Sequence, residues 1–104
     1  MIKVLLQSKI LGIAFSHPMM QVDGVSVRCT HCGVFELSEY DAAIVAEGVT
    51  FCSLKDNFCK ATGRRIALTR ALEKMRMKVP YMTKAERRKV WEAYLEPNGR
   101  ARAR

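Results

Sequence analysis

The dipeptide Asp23-Gly24 is the feature that most restricts how this chain can fold. It separates the apolar segments 20–22 and 25–27, and Asp-Gly between such segments is typical of a tight turn joining two antiparallel strands. Other apolar segments of the N-terminal half are candidates for the same sheet: residues 2–6, 10–15 and 49–52. We therefore expect a small antiparallel sheet in this half of the chain.

Ser38 and Asp41 stand three residues apart, the spacing of a helix capping box. Apolar residues follow them, and Gly48 closes the run. A glycine directly after such a run is a common helix end. The pattern predicts a short helix over residues 38–48, between the hairpin and the last predicted strand.

The longest predicted element is a helix over residues 54–78, capped by Ser53. Its apolar residues recur at alternating intervals of three and four, which places them on one face. Thr83 and Glu86 form another capping box and open a last helix through about Leu95. The predicted fold is α+β: a small antiparallel sheet packed by two to three helices, one of them long and basic.

The length of 104 residues leaves room for one domain with one core. Apolar residues make up 49% of the chain and charged residues 27%, which is typical of a globular protein and excludes a disordered one. Residues 97–99, Pro-Asn-Gly, are expected to end the last helix. We expect one domain over 1–96 and a disordered Arg-rich tail over 97–104.

Positive charge is concentrated in the second half of the chain. Residues 1–54 carry three Lys or Arg and five acids, a net charge of −2, whereas residues 55–104 carry fifteen and five, a net charge of +10. The total is +8. This distribution favours nucleic acid or an acidic protein as a partner, although a basic face can also serve only to keep a protein soluble.

The candidate binding residues lie on the long helix and on the first turns of the last helix. Four residues of the long helix are expected on the face opposite the apolar stripe, with Ala67 and Ala71 between them: Lys60, Arg64, Lys74 and Lys78. Such a row contacts phosphates without reading bases. Arg65 is an exception that falls on the apolar stripe. The candidates are Lys60, Arg64, Arg65, Arg70, Lys74, Lys78, Lys84, Arg87, Arg88 and Lys89.

Cys29 and Cys32 form a C-x2-C motif of the kind found in zinc knuckles. Cys52 and Cys59 would supply the other two ligands of a zinc site, although their spacing of seven residues is wider than usual. His17 or His31 could supply a missing ligand instead. The alternative is that these cysteines are small buried core residues. A redox dithiol is disfavoured because a strand, not a helix, is predicted after the motif.

Signatures of enzymes are missing from the sequence. It has no phosphate loop, no dinucleotide-binding glycine pattern and no nucleophile elbow, so we expect neither catalysis nor a small-molecule substrate. The apolar run at 4–15 is interrupted and shorter than the roughly 20 residues of a membrane span. It also lacks the features of a signal peptide. We expect a cytoplasmic protein that does not contact membranes.

Residues 52–72, from Cys52 through Thr62-Gly63-Arg64-Arg65 to Leu72, resemble a segment of small uncharacterised proteins encoded by bacteriophages and prophages. The resemblance implies an accessory protein in the cytoplasm of a bacterial host, without an established activity. Together with the charge, it suggests a non-enzymatic protein that binds nucleic acid through its basic helix and tail. The alternative is an inhibitor that docks on a host nucleic-acid-handling or defence enzyme, as anti-CRISPR and anti-restriction proteins do.

Overall fold

A computed structural model describes residues 1–7, 9–52, 60–76 and 82–103 of the chain, and the side chains of these as far as residue 96. The described residues form one five-stranded antiparallel sheet and two helices, so the predicted α+β class and antiparallel sheet are confirmed. The strands are β1 (Ile2–Leu5), β2 (Ile10–Ser16), β3 (Met19–Val22), β4 (Val25–Leu37) and β5 (Ala42–Phe51). The helices are α1 (Lys60–Arg76) and α2 (Lys84–Ala103).

Strand β4 organises the sheet because it is long enough to pair with three other strands. Its second part pairs with β2 on one side and with β5 on the other, and β1 pairs with β2. Its first part, 25–28, pairs with β3. Strand β3 and the first part of β4 therefore project as a two-stranded hairpin beyond the part of the sheet that carries the helices.

The turn of this hairpin is the one that the sequence predicts. Val22 pairs with Val25, which leaves Asp23 and Gly24 as the two turn residues. Both have positive φ angles, 50° and 79°. A two-residue turn with both φ angles positive matches the right-handed twist of the strands it joins, and glycine and aspartate adopt that conformation readily.

The predicted helix over 38–48 is wrong, because β5 occupies most of this range. Residues 38–41 form the loop that joins β4 to β5, with Leu37 paired to Ala42. The Ser38 amide and hydroxyl both donate to the Asp41 carbonyl oxygen, at 2.8 and 3.2 Å. The same two residues that cap a helix can thus close a strand connection, and pairing with β4 decides between the two outcomes.

Helix α1 lies on β4 and β5 and closes the core. Its buried residues include both alanines that the sequence analysis assigned to the basic outer face, Ala67 and Ala71. They lie against Gly48 of β5, where any side chain would collide with the helix backbone. The apolar face of the helix is therefore wider than predicted, and the cations before and after these alanines do not share one outer row.

Helix α2 begins with the predicted capping box. The Glu86 amide donates to the Thr83 hydroxyl at 3.1 Å, and the Thr83 amide donates to the Glu86 carboxylate at 2.9 Å. The helix continues through Ala103, past Pro97, where the sequence analysis expects it to end. No helix of the described residues is both apolar and long enough to cross a bilayer.

Candidate nucleic-acid interface

His17 is the centre of a polar site at the base of the projecting hairpin. It follows the last residue of β2, and its Nδ1 lies 3.1 Å from the hydroxyl of the buried Thr30 on β4. The Arg64 guanidinium of α1 donates from Nε to His17 Nε2 at 3.3 Å. Because a guanidinium can only donate, Nε2 must accept, so the neutral ring carries its proton on Nδ1 and donates it to Thr30.

Among the residues that the structure describes, the charges that act on His17 are all positive. The pKa of His17 is lowered from its ordinary value, first by burial and then by the positive charges of Arg64, Lys60 and Arg28. We call Arg28, Lys60 and Arg64, together with His17, the cationic cluster. It unites residues of β4 and α1 that are more than thirty positions apart in the sequence, and positive charge converging in this way attracts anions.

Both arginines of the cluster are held in place by neighbouring side chains. The guanidinium of Arg64 lies over the ring of Phe15, 5.8 Å from its centroid. Arg28 donates from Nε to the sulfur of Met19 at 3.0 Å, across the pair of hairpin strands. Such contacts leave the charge intact while restricting the side chain, which lowers the entropy lost when an anion binds.

The other predicted binding residues of α1 lie at different positions around this helix. Arg70 and Lys74 line an open groove of about 610 Å³ beside β5, together with Val49, Glu73 and Arg76. Arg65 is exposed on another side of α1. Lys78 lies outside the described residues. The structure thus divides the predicted row between the cationic cluster, this groove and a separate exposed position.

Three of the four basic residues predicted to bind at the start of α2 are exposed. Lys84, Arg88 and Lys89 are exposed. Arg87 is half-buried and donates to the Met82 carbonyl oxygen at 3.1 Å, so it also holds the chain before the helix. Their positive charges lie at the positive end of the helix dipole, which is unfavourable for the helix by itself. An anionic partner bound there would offset this repulsion.

The C-x2-C motif lies inside β4 rather than at a strand end. Residues three apart in a strand point to opposite faces, and Cys32 packs into the core beneath α1. Burial raises the pKa of the Cys32 thiol to about 12, which disfavours the thiolate that zinc binds. Cys59 lies outside the described residues, and within the described ones no group of three metal-binding side chains occurs. The zinc site stays a prediction.

His31, another possible ligand in the motif, is engaged elsewhere. Its Nε2 lies 2.7 Å from the Glu47 carboxylate of β5. His31 pairs with Val49 and Gly33 with Glu47, so this contact runs diagonally across the two strands on the face of the sheet that α1 does not cover. Both side chains are partly exposed, and solvent therefore weakens the pair.

Neither Arg28 nor the role of His17 was predicted from the sequence, although the hairpin turn contained the signal for both. Counting outwards from the Asp23-Gly24 turn pairs residue 19 with residue 28 and places His17 next to Thr30. The approach of Arg64 depends on helix packing and had no such signal. Comparison of the chain with protein-family models, with curated proteins and with solved structures finds no match.

Proposed function

We propose that this protein is a non-enzymatic nucleic-acid-binding protein, of the bacteriophage accessory type, that contacts phosphates through the cationic cluster. One observation carries the proposal: three cations from two distant segments of the described chain, Arg28 of β4 and Lys60 and Arg64 of α1, act together on His17. A phosphate placed there would meet cations from both sides. Phosphate contacts supply most of the affinity of nonspecific nucleic-acid binding.

The hairpin next to the cluster has the shape of a nucleic-acid-binding element. Its strand β3 is exposed along its whole length, and the major groove of B-DNA is wide enough for a two-stranded ribbon. Its polar side chains are few, and the amide of Gln21 already donates to the Ser26 hydroxyl at 2.6 Å. We therefore expect weak sequence preference. The basic start of α2 and the Arg-rich tail would add further phosphate contacts.

Salt dependence and a matched pair of variants test this function. Lys60 and Arg65 are both exposed cations near the start of α1, but only Lys60 belongs to the cluster. We expect fluorescence anisotropy with a labelled duplex to show affinity that falls steeply with salt. Lys60→Glu should reduce the slope of log affinity against log salt by about 1, and Arg65→Glu by much less. Equal effects, or binding insensitive to salt, would overturn the proposal.

A second candidate function is docking on a host protein that handles nucleic acid. The observation that favours it is the apolar surface of the hairpin, where Met19, Met20, Val22 and Val25 are 43–54% exposed. Exposed apolar clusters are typical of protein interfaces. This function would be supported by a host protein that stays bound after nuclease treatment. The Met20→Lys variant should lose this host protein, whereas the Gln21→Lys variant should retain it. Co-purification of nucleic acid without any host protein would exclude this function.

A further inference from the structure

Strand β5 has an outer edge whose backbone groups point away from the sheet. Within the described part of the chain, β5 pairs with β4 alone. The Cys52 amide donates to the Arg28 carbonyl oxygen, and bonds across an antiparallel pair recur at every second residue. Gly48 and Thr50 therefore bond to β4, whereas the amides and carbonyls of Glu47, Val49 and Phe51 face outwards.

Arg70 of α1 confirms this orientation. Its guanidinium donates to the Val49 carbonyl oxygen at 2.7 Å, from the side of β5 opposite β4. The groove of about 610 Å³ begins at this contact, between the β5 edge and the outward side of α1. The outward carbonyl of Val49 is thus within reach of a donor that comes from beyond the sheet.

Helix α1 crosses the sheet from β4 towards this edge. Gly63, in its first turn, lies against Thr30, which pairs with Thr50, and Ala67 and Ala71 lie against Gly48. The helix therefore advances in the direction opposite to β5. Arg70 and Lys74 are one turn apart, about 6 Å along the helix axis, close to the roughly 6.6 Å between alternate residues of a strand.

The charge of the groove restricts which strand can pair there. Among the described residues that line it, Arg70, Lys74 and Arg76 face one acid, Glu73, which gives a net charge of +2. A second copy of this chain would bring two such sets of cations together, and like charges in apposition repel. A strand with acidic side chains at alternate positions would instead place them opposite the cations.

We infer that the β5 edge binds an extended acidic peptide by strand addition, its backbone bonding to Glu47, Val49 and Phe51 and its acidic side chains contacting Lys74 and Arg76. Backbone bonds give affinity in this mode of recognition, and alternate side chains give specificity. The site is separate from the cationic cluster, so the inference does not depend on the proposed function. In the complex, the Arg70 guanidinium would donate to a carboxylate of the peptide instead of to the Val49 carbonyl oxygen.

Backbone-directed probes separate strand addition from simple charge attraction. We would use a labelled peptide of about eight alternating Glu and Val residues, the length of a typical strand, with two N-methylated versions. One version is methylated on the amides of every second residue, and the other version on the remaining amides. Because only every second amide of an added strand faces the edge, one of the two versions should lose binding and the other should retain it. Equal binding of both versions would overturn the inference.

Hydrogen exchange on the full-length protein provides an internal control. On adding the unmodified peptide, exchange of the Glu47, Val49 and Phe51 amides should slow, whereas the Gly48 and Thr50 amides, already bonded to β4, should not change. Lys74→Glu combined with Arg76→Glu should weaken peptide binding by about tenfold or more, and Lys60→Glu should leave it unchanged.

Two other results would assign the edge to a different occupant and overturn the inference. One is a concentration-dependent dimer that slows exchange of the same amides without peptide. The other is an oligothymidine strand that displaces the peptide and loses affinity in the Lys74→Glu/Arg76→Glu variant. If Lys60→Glu loses nucleic-acid binding and retains peptide binding, the two ligands bind at separate sites.

Discussion

His17 ties the stability of this protein to pH. Its pKa is below the ordinary 6.5 in the folded chain, because burial and the neighbouring cations disfavour the charged ring. In the unfolded chain those causes are gone, so below about pH 6.5 the unfolded state binds more protons than the folded one. Stability contributed by neutral His17 is therefore fully present above pH 6.5 and lost as pH falls through the folded-state pKa.

We expect the free energy of unfolding, measured by urea denaturation, to fall between pH 7.5 and pH 5.5 in the wild-type protein. His17→Gln should flatten this dependence, since an uncharged amide can still bond to Thr30 and Arg64 but does not titrate. A variant with the same pH dependence as the wild type would show that another group causes it.

Binding of an anion should act on His17 in the opposite sense. A phosphate beside Arg28, Lys60 and Arg64 offsets their charge and raises the pKa of His17 in the complex, so binding takes up a proton. We expect affinity for duplex DNA to rise as pH falls from 7.5 to 5.5, and His17→Gln to remove most of the rise. An equal rise in both proteins would exclude His17 as the linked group.

Cys32 is expected to be inert in the folded protein. The thiol is fully buried, and its pKa of about 12 leaves almost no thiolate at pH 8. Iodoacetamide labelling followed by peptide mapping should modify Cys32 only after unfolding in urea, whereas the half-buried Cys52 should react earlier. Labelling of Cys32 at the same rate as Cys52 under native conditions would contradict its placement in the core.

At the scale of elements, local patterns predicted the hairpin, the cap of α2 and the end of β5, but not the larger part of β5. The Asp23-Gly24 turn is self-contained, because the required φ angles depend on those two residues alone. Ser38 and Asp41 have a spacing that suits a helix cap and a strand connection equally well. The choice between them comes from pairing with β4 and from the fit of Gly48 against α1, and neither contact is encoded in the segment itself.

Gly48 sets how closely α1 approaches the sheet. A methyl group there would lie 2.6 Å from the Ala71 amide nitrogen and closer still to the Ala67 carbonyl oxygen, and backbone cannot move aside locally. We expect Gly48→Ala to reduce the free energy of unfolding by about 1–3 kcal/mol. The control is Gly12→Ala, which meets mainly the exposed Met1 side chain and should cost less. Equal losses would mean that α1 is not packed this closely.

At the scale of the whole molecule, β4 carries a cation towards one end and an acid near the other. Arg28 and the cationic cluster lie towards one end of the strand, and Glu36 lies near the other, next to the loop that contains Glu39 and Asp41. Eight residues of strand span about 26 Å. The acidic side chains around Glu36 thus lie about this far from Arg28, and their negative charge opposes the approach of a polyanion to the cationic cluster.

This separation predicts an effect that depends on ionic strength. We would replace Glu36 and Glu39, which are exposed, with glutamine, and leave Asp41, whose carboxylate accepts the Ala42 amide at 2.8 Å. The screening length is about 30 Å at 0.01 M salt and about 8 Å at 0.15 M. The double variant should therefore associate faster with duplex DNA in stopped-flow measurements at 0.01 M, and at the wild-type rate at 0.15 M.

Lys60→Glu provides the opposing control, because its charge lies within the cluster itself. It should slow association at both salt concentrations, since a contact at the binding site is screened much less than a distant charge. Equal acceleration of the Glu36→Gln/Glu39→Gln variant at both salt concentrations would instead place the DNA close to the acidic loop. In that case the cationic cluster would not be the site of phosphate contact, and the projecting hairpin would not lead the approach.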